Sequence, residues 1–334
     1  MRFITLIAAA LALLLPAAAG AQRAGPAWET AAHMKRGVNI IGYDPLWRDP
    51  AKARFQTRHF GIIKAGGFDF VRVVLSGFRH MDADNKLSPQ FFATLDWVVK
   101  EAGAAGLGVI LDEHDFTYCA ANADPCETKL IAFWQQMGEH YKAAPKSVLF
   151  ELLNEPNGQL DAPRWNAMIA KVLPVVRATN PNRTVVIGPV RWNNLGELPN
   201  LVLPKADRNI IVTFHSYEPF GFTHQGAPWA EGMKDVHGVP FTAADEARIA
   251  GDYDKVQAWS KAEDRPILMG EFGAYDRSGT PIEDRARYTA TVRREAEKRG
   301  FLWAYWQFDS DFVLWDMAKD QWVEPIRKAL IPEG

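Results

Sequence analysis

Short β-branched runs recur along the chain at intervals of roughly 30 to 50 residues, separated mostly by longer stretches with apolar residues at i, i+3 and i+4. The runs are GVNIIG (37–42), FDFVRVVLS (68–76), GVILDEH (108–114), SVLFELLN (147–154), TVVIGPV (184–190), NIIVTFHSY (209–217), PILMGEFG (266–273) and LWAYWQFD (302–309). Among the helix-period stretches, SPQFFATLDWVVKEAGAAG has Ser88 placed to cap, Pro89 to start and Gly103 or Gly106 to stop the helix. ETKLIAFWQQMGEHYKAA, APRWNAMIAKVLPVVRAT, DEARIAGDYDKVQAWSKAE and IEDRARYTATVRREAEKRG carry the same period. The fifth unit is weaker, with only a short helix expected around Asn193 to Pro199.

Strands alternating with helices predict a parallel sheet with crossover helices. Eight such units in about 300 residues fit a closed (β/α)8 barrel of the α/β class better than an open doubly wound sheet. No G-x-G-x-x-G or Walker sequence supports a nucleotide-binding open sheet. No linker or low-complexity tract divides the chain, so a single barrel domain is expected over 22–334.

The start, MRFITLIAAALALLLPAAAGAQ, has a basic end, an apolar core and small residues at Ala19, Gly20 and Ala21. That is the pattern of an export signal over residues 1–21, cleaved after Ala21, and its apolar core is too short to span a membrane comfortably. A secreted or periplasmic protein follows, not membrane-bound after cleavage. In such a compartment the only cysteines, Cys119 and Cys126, are expected to form a disulfide. With 48% hydrophobic and 23% charged residues the composition is globular, and a formal charge of −2 argues against a nucleic-acid partner.

In a barrel of this kind the site lies at the C-terminal strand ends. Polar residues cluster there: Arg72 on strand two, His114 ending strand three, Asn154 and Glu155 ending strand four, His215 and Tyr217 on strand six, Glu271 on strand seven and Trp306 on strand eight. Taken singly, each has an ordinary structural role open to it. Taken together, two carboxylates facing across a barrel mouth are what glycoside cleavage requires. Arg72 beside Glu271 is expected to keep that carboxylate ionised, leaving the less compensated Glu155 to stay protonated and donate.

LLNEP, HSY, GEFG and Trp306 on the last strand, with Arg72 in VRVV and His114 in DEH, resemble glycoside hydrolase family 5, the cellulase-like retaining glycosidases of the barrel clan. The resemblance spans nearly all of the chain after residue 21. It implies a (β/α)8 barrel with Glu155 as acid/base and Glu271 as nucleophile in a double displacement. Arg72, His114, Asn154, His215 and Tyr217 would position carboxylates and sugar, and Trp306 would floor the cleft. Retention requires carboxyl groups about 5 to 5.5 Å apart, against about 6.5 to 9.5 Å for inversion.

Sugar rings stack on aromatics, so Trp47, Trp192, Phe220, Trp229 and Trp315 after the strands are further cleft candidates, Trp192 the strongest of them. Trp97, Trp134 and Trp259 fit helical apolar faces and read as core. No cofactor or catalytic metal is expected. The DEHD run at 112–115 resembles a ligand cluster, but strand alternation turns Glu113 away from His114. Glu151 should face inward and pair with Arg72 or another interior base. The substrate implied is a polysaccharide or oligosaccharide, first a β-1,4-glucan cut internally, with mannan and β-1,3 or mixed-linkage glucans as alternatives. A non-catalytic carbohydrate-binding barrel would need a carboxylate lost, and both are present. A monomer is expected, and the lack of an appended binding domain points to soluble or short chains.

Overall fold

All eight runs form strands: β1 (Arg36–Ile40), β2 (Phe70–Leu75), β3 (Gly108–Glu113), β4 (Val148–Glu151), β5 (Val185–Ile187), β6 (Ile210–Ser216), β7 (Ile267–Phe272) and β8 (Leu302–Tyr305). Each pairs in parallel with the next, and β8 pairs with β1 through Gly37 and Ala304, so the sheet closes into a barrel. The computed structural model describes residues 25–333, so the export signal expected over 1–21 lies outside the described residues.

Side chains alternate inward and outward along each strand. Phe70, Ile110, Leu149, Val186, Ile211, Leu268 and Leu302 form one buried apolar cluster, a layer across the lower interior. A helix that the sequence pattern did not announce, Pro26–His33, closes this floor with Ala27, Ala31 and the following Met34. The outward residues meet the surrounding helices in a second, larger core. Two tryptophans tie helices to strand ends, Trp134 donating to the Leu152 carbonyl at 3.0 Å and Trp165 to the Gly188 carbonyl at 2.9 Å.

The helices fall where the period placed them: Pro89–Ala104, Ala123–His140, Ala162–Thr179, Ala243–Glu263 and Ile282–Lys298. Ser88 caps the first through its hydroxyl at 3.2 Å from the Phe91 amide, and the chain reverses at Gly106, φ 74°. The weak fifth unit has no full crossover helix; β5 leads into a turn at Val190–Asn193 and a 3-10 helix, Leu195–Asn200. Cys119 and Cys126 are bonded, their Cα atoms 4.9 Å apart. No helix among the described residues is long and apolar enough to cross a membrane.

The floor assignment has a direct test. Ala31→Asp would bury a charge in the apolar layer and should cost about 3 kcal/mol or more in urea unfolding, whereas the exposed Glu29→Ala should stay within about 0.5 kcal/mol.

Candidate active site

Above the apolar layer the barrel interior turns polar around one fully buried guanidinium. Arg72 Nε and Nη2 hold Glu151 at 2.7 and 2.9 Å, Nη1 donates to Asn39 and Glu271 at 2.8 Å each, and Nη2 also reaches Asn154 at 2.8 Å. Asp112 lies 3.0 Å from the same Nη2. The planar fork with its five N–H donors can serve β1, β3, β4 and β7 at once, which an ammonium cannot. Burial opposes the charge on Arg72, but Asp112, Glu151 and Glu271 overcome it and hold it firmly protonated.

The two strands that deliver carboxylates both break their alternation just before doing so. On β7, Phe214 pairs with Met269 but His215 pairs with Glu271, so Gly270 is an extra residue. Leu268 belongs to the inner layer, and Met269 and Phe272 to the outer core. Gly270 and Glu271 therefore both face inward, the re-aiming that a β-bulge performs. Glycine is needed at the first position because a Cβ there would lie 2.6 Å from Thr213 Oγ1. Asn39 Nδ2 bonds the Gly270 carbonyl at 3.0 Å, tying the bulge to Arg72. On β4, Leu152 and Leu153 both join the outer core, after which Asn154 turns in to Arg72 and Glu155 adopts φ 43°. Asn157 Nδ2 clamps the Glu155 carbonyl at 2.8 Å. The next residues lean on the disulfide-linked segment, the Gln159 amide donating to the Ala120 carbonyl at 2.9 Å.

Glu155, His215 and Glu271 each offer an atom within 4.8 Å of the others. His215 Nδ1 sits 2.6 Å from Glu155 Oε1 and 3.6 Å from Glu271 Oε2. The Tyr217 hydroxyl donates to Glu271 Oε2 at 3.0 Å. Burial pushes the Glu155 carboxyl up to about 7, against the pull of His114 and Arg72. For Glu271 the expected downward shift is corrected: burial outweighs His215 and Arg72, and its pKa also rises. The asymmetry between the two acids lies in their partners, since Glu271 takes donors from Arg72 and Tyr217, while among the described residues the Glu155 carboxyl is bonded by His215 alone.

Carboxamides set both histidines. Asn154 Nδ2, a donor only, is 3.1 Å from His114 Nε2, so the His114 proton sits on Nδ1 and goes to Asp112 at 2.6 Å. Within the DEHD run, Asp112 and His114 thus share the interior while Glu113 lies on the other side beside Gly77 and Phe133. The His114 ring stacks on Trp306 at 5.7 Å and 11°, and Tyr43 meets Trp306 edge-on at 6.3 Å.

Of the loop aromatics, Trp192, Trp229 and Phe220 are exposed, Trp192 by 56%. Trp47 and Trp315 do not fit the cleft role expected of them. Trp47 donates to the Ile41 carbonyl at 2.8 Å and stacks on Phe91, which packs its own loop down. Trp315 is buried against Phe308 and Trp322. The sequence reading missed Asn39, Tyr43 and Asn193. Asn39 had a signal, a lone carboxamide inside an apolar strand; the other two stand on loops with none.

Fold and mouth together define a (β/α)8 barrel with an acidic pair at its strand ends and tryptophan beside it. The chain belongs to the Cellulase family, glycosyl hydrolase family 5, whose model matches residues 32–311. It is 25% identical to Endoglucanase 3 of Fibrobacter succinogenes over 89% of the chain and 52% of that protein. It is 26% identical to Endoglucanase H of Acetivibrio thermocellus over 92% of the chain and 34% of that protein. It therefore spans about half or less of the length of these curated relatives. Among solved structures, Thermotoga maritima Cel5A in complex with cellobiose is 34% identical, with a TM-score of 0.86 over 91% of this chain and 100% of that one. The same enzyme has a structure in complex with mannotriose.

Removing Arg72 would strand several buried carboxylates. Arg72→Met should lose about 3–5 kcal/mol of unfolding free energy in guanidinium titration, and Arg72→Lys should recover only part of it.

Proposed function

We propose that this chain is a retaining endo-β-1,4-glucanase with Glu155 as acid/base and Glu271 as nucleophile. The observation that carries the reading is the spacing of the two acids, with oxygens within 4.8 Å of each other. Two carboxyl groups with oxygens this close suit the separation of about 5 to 5.5 Å needed for attack through a covalent intermediate. Glu271, held by Arg72 and Tyr217, attacks the anomeric carbon while Glu155 protonates the departing oxygen. Glu155, now ionised, then takes a proton from the water that cleaves the glycosyl-enzyme bond.

Binding follows from the remaining groups. His114 and Asn154 border the pair, Trp306 stacked on His114 offers a sugar platform, and the exposed Trp192 after β5 offers a second. The cellulase family and the endoglucanase relatives favour glucan. The mannotriose complex of Thermotoga maritima Cel5A favours a second reading, in which β-mannan is also cut. The reading includes export and a monomer; export rests on the pattern of residues 1–21.

Glu155→Gln and Glu271→Gln should each lower kcat by about 10²–10⁴-fold while keeping the wild-type circular dichroism spectrum. A variant that keeps full activity would remove its residue from the mechanism and reopen the non-catalytic binding reading. Because the acid must be protonated, kcat/KM should fall as pH rises through about 7, where Glu155 loses its proton. A panel of cellulose, mannan, xylan, lichenan and laminarin oligosaccharides, with products resolved by length, reads the preferred linkage and endo action together.

A further inference from the structure

After β5 the chain passes through Arg191, Trp192 and Asn193 with φ of 57°, 59° and 54°, three consecutive non-glycine residues in the left-handed region. Single left-handed residues are ordinary turn features; a run of them among bulky side chains is unfavourable and persists only where the surroundings impose it. Here the Trp192 amide bonds the Pro156 carbonyl, next to Glu155, and Asn194 bridges to His215. The turn sends Trp192 out to solvent and Asn193 fully inward. Gly188 leaves the room, since a Cβ there would fall 2.1 Å from Asn193 Oδ1.

Asn193 Nδ2 lies 3.2 Å from His215 Nε2. With the carboxamide turned this way its nitrogen donates, Nε2 presents its lone pair and the imidazole proton sits on Nδ1, which faces Glu155 Oε1 at 2.6 Å, while Asn193 Oδ1 has no hydrogen-bond partner among the described residues. A doubly protonated ring would set two donors against each other at Asn193. We propose that Asn193 is a positioning residue: by fixing the Nδ1–H tautomer of His215 it keeps Glu155 Oε1 occupied and leaves the transferable proton to Oε2. This rests on the assignment of Glu155 as acid/base. The other titratable or charged groups around the pair are Tyr43, Arg72, Asp112, His114, Glu151, Tyr217 and Glu271, and among the described residues none of them hydrogen-bonds His215 Nε2.

The test reads the tautomer directly, by 15N NMR of histidine-labelled protein, with the His215 signals assigned by their loss in His215→Asn. Wild type should show a protonated Nδ1 and a bare Nε2. Asn193→Asp replaces the donor by an acceptor, so His215 should become doubly protonated. The alkaline limb of kcat/KM should then move down by about one pH unit, since an imidazolium favours ionised Glu155. Gly188→Ala, whose methyl would meet Asn193 first and Thr213 Cγ2 at 2.9 Å next, should mix the tautomers and lower kcat roughly tenfold with little change in KM. A wild-type Nε2–H tautomer overturns the proposal whatever the variants do. So does a folded Asn193→Asp protein with unmoved His215 signals and an unmoved limb. The two readings fail separately: an active Glu155→Gln enzyme sinks the acid/base assignment and leaves the tautomer standing, whereas an inactive Glu155→Gln with His215 in the Nε2–H form sinks only the role of Asn193.

Discussion

The polar upper half of this barrel depends on a single buried cation. Four strands bring an acid or a carboxamide to Arg72, and without it Asp112, Glu151 and Glu271 would face one another in a water-poor interior. Burial already pushes the Glu151 pKa up and that of Asp112 to about 7. A guanidinium suits the position because its donors are fixed in one plane and each can be aimed at a different strand. Stability and site geometry share this centre, since the group that neutralises the core also grips one of the two mouth carboxylates.

Around that centre, regular secondary structure gives way wherever a side chain must be re-aimed. The bulge at Gly270 turns Glu271 inward, the irregular end of β4 does the same for Asn154, and Glu155 and Asn193 take left-handed backbone conformations. Non-glycine residues in that conformation cost of order 1–3 kcal/mol each and are held by what surrounds them. Here the holders are visible: Asn157 on the Glu155 carbonyl, Pro156 on the Trp192 amide and Asn39 on the Gly270 carbonyl. The floor of the barrel, regular and apolar, carries no such departures among its strand residues.

The barrel was legible because its signal is repetitive. Eight β-branched runs and the helical period between them mark a topology that one misplaced boundary does not disturb, and each run became a strand. Much of the site was legible for a related reason, since strand-end polar residues stand out against apolar runs. Glu151 facing Arg72 followed from its place in the strand. Alternation counted from Leu268 would have turned Glu271 outward, and only the pairing of β7 with β6 shows the extra residue. Trp47 and Trp315 carry the same composition signal as Trp192, and packing alone separates them: two are used up by neighbouring rings and one is left in solvent.

By itself, then, the sequence determined the succession of elements, the closed α/β architecture and the set of acids, bases and aromatics offered to the mouth, because these depend on local periodicity and residue type. Tertiary structure decided which of them meet. The raised pKa values of Glu155 and Glu271 come from burial and their different partners from donors on other strands, and the facing of Asn193 onto His215 comes from a turn whose conformation is imposed by its surroundings. Such through-space terms depend on distance and desolvation, which no spacing along the chain encodes.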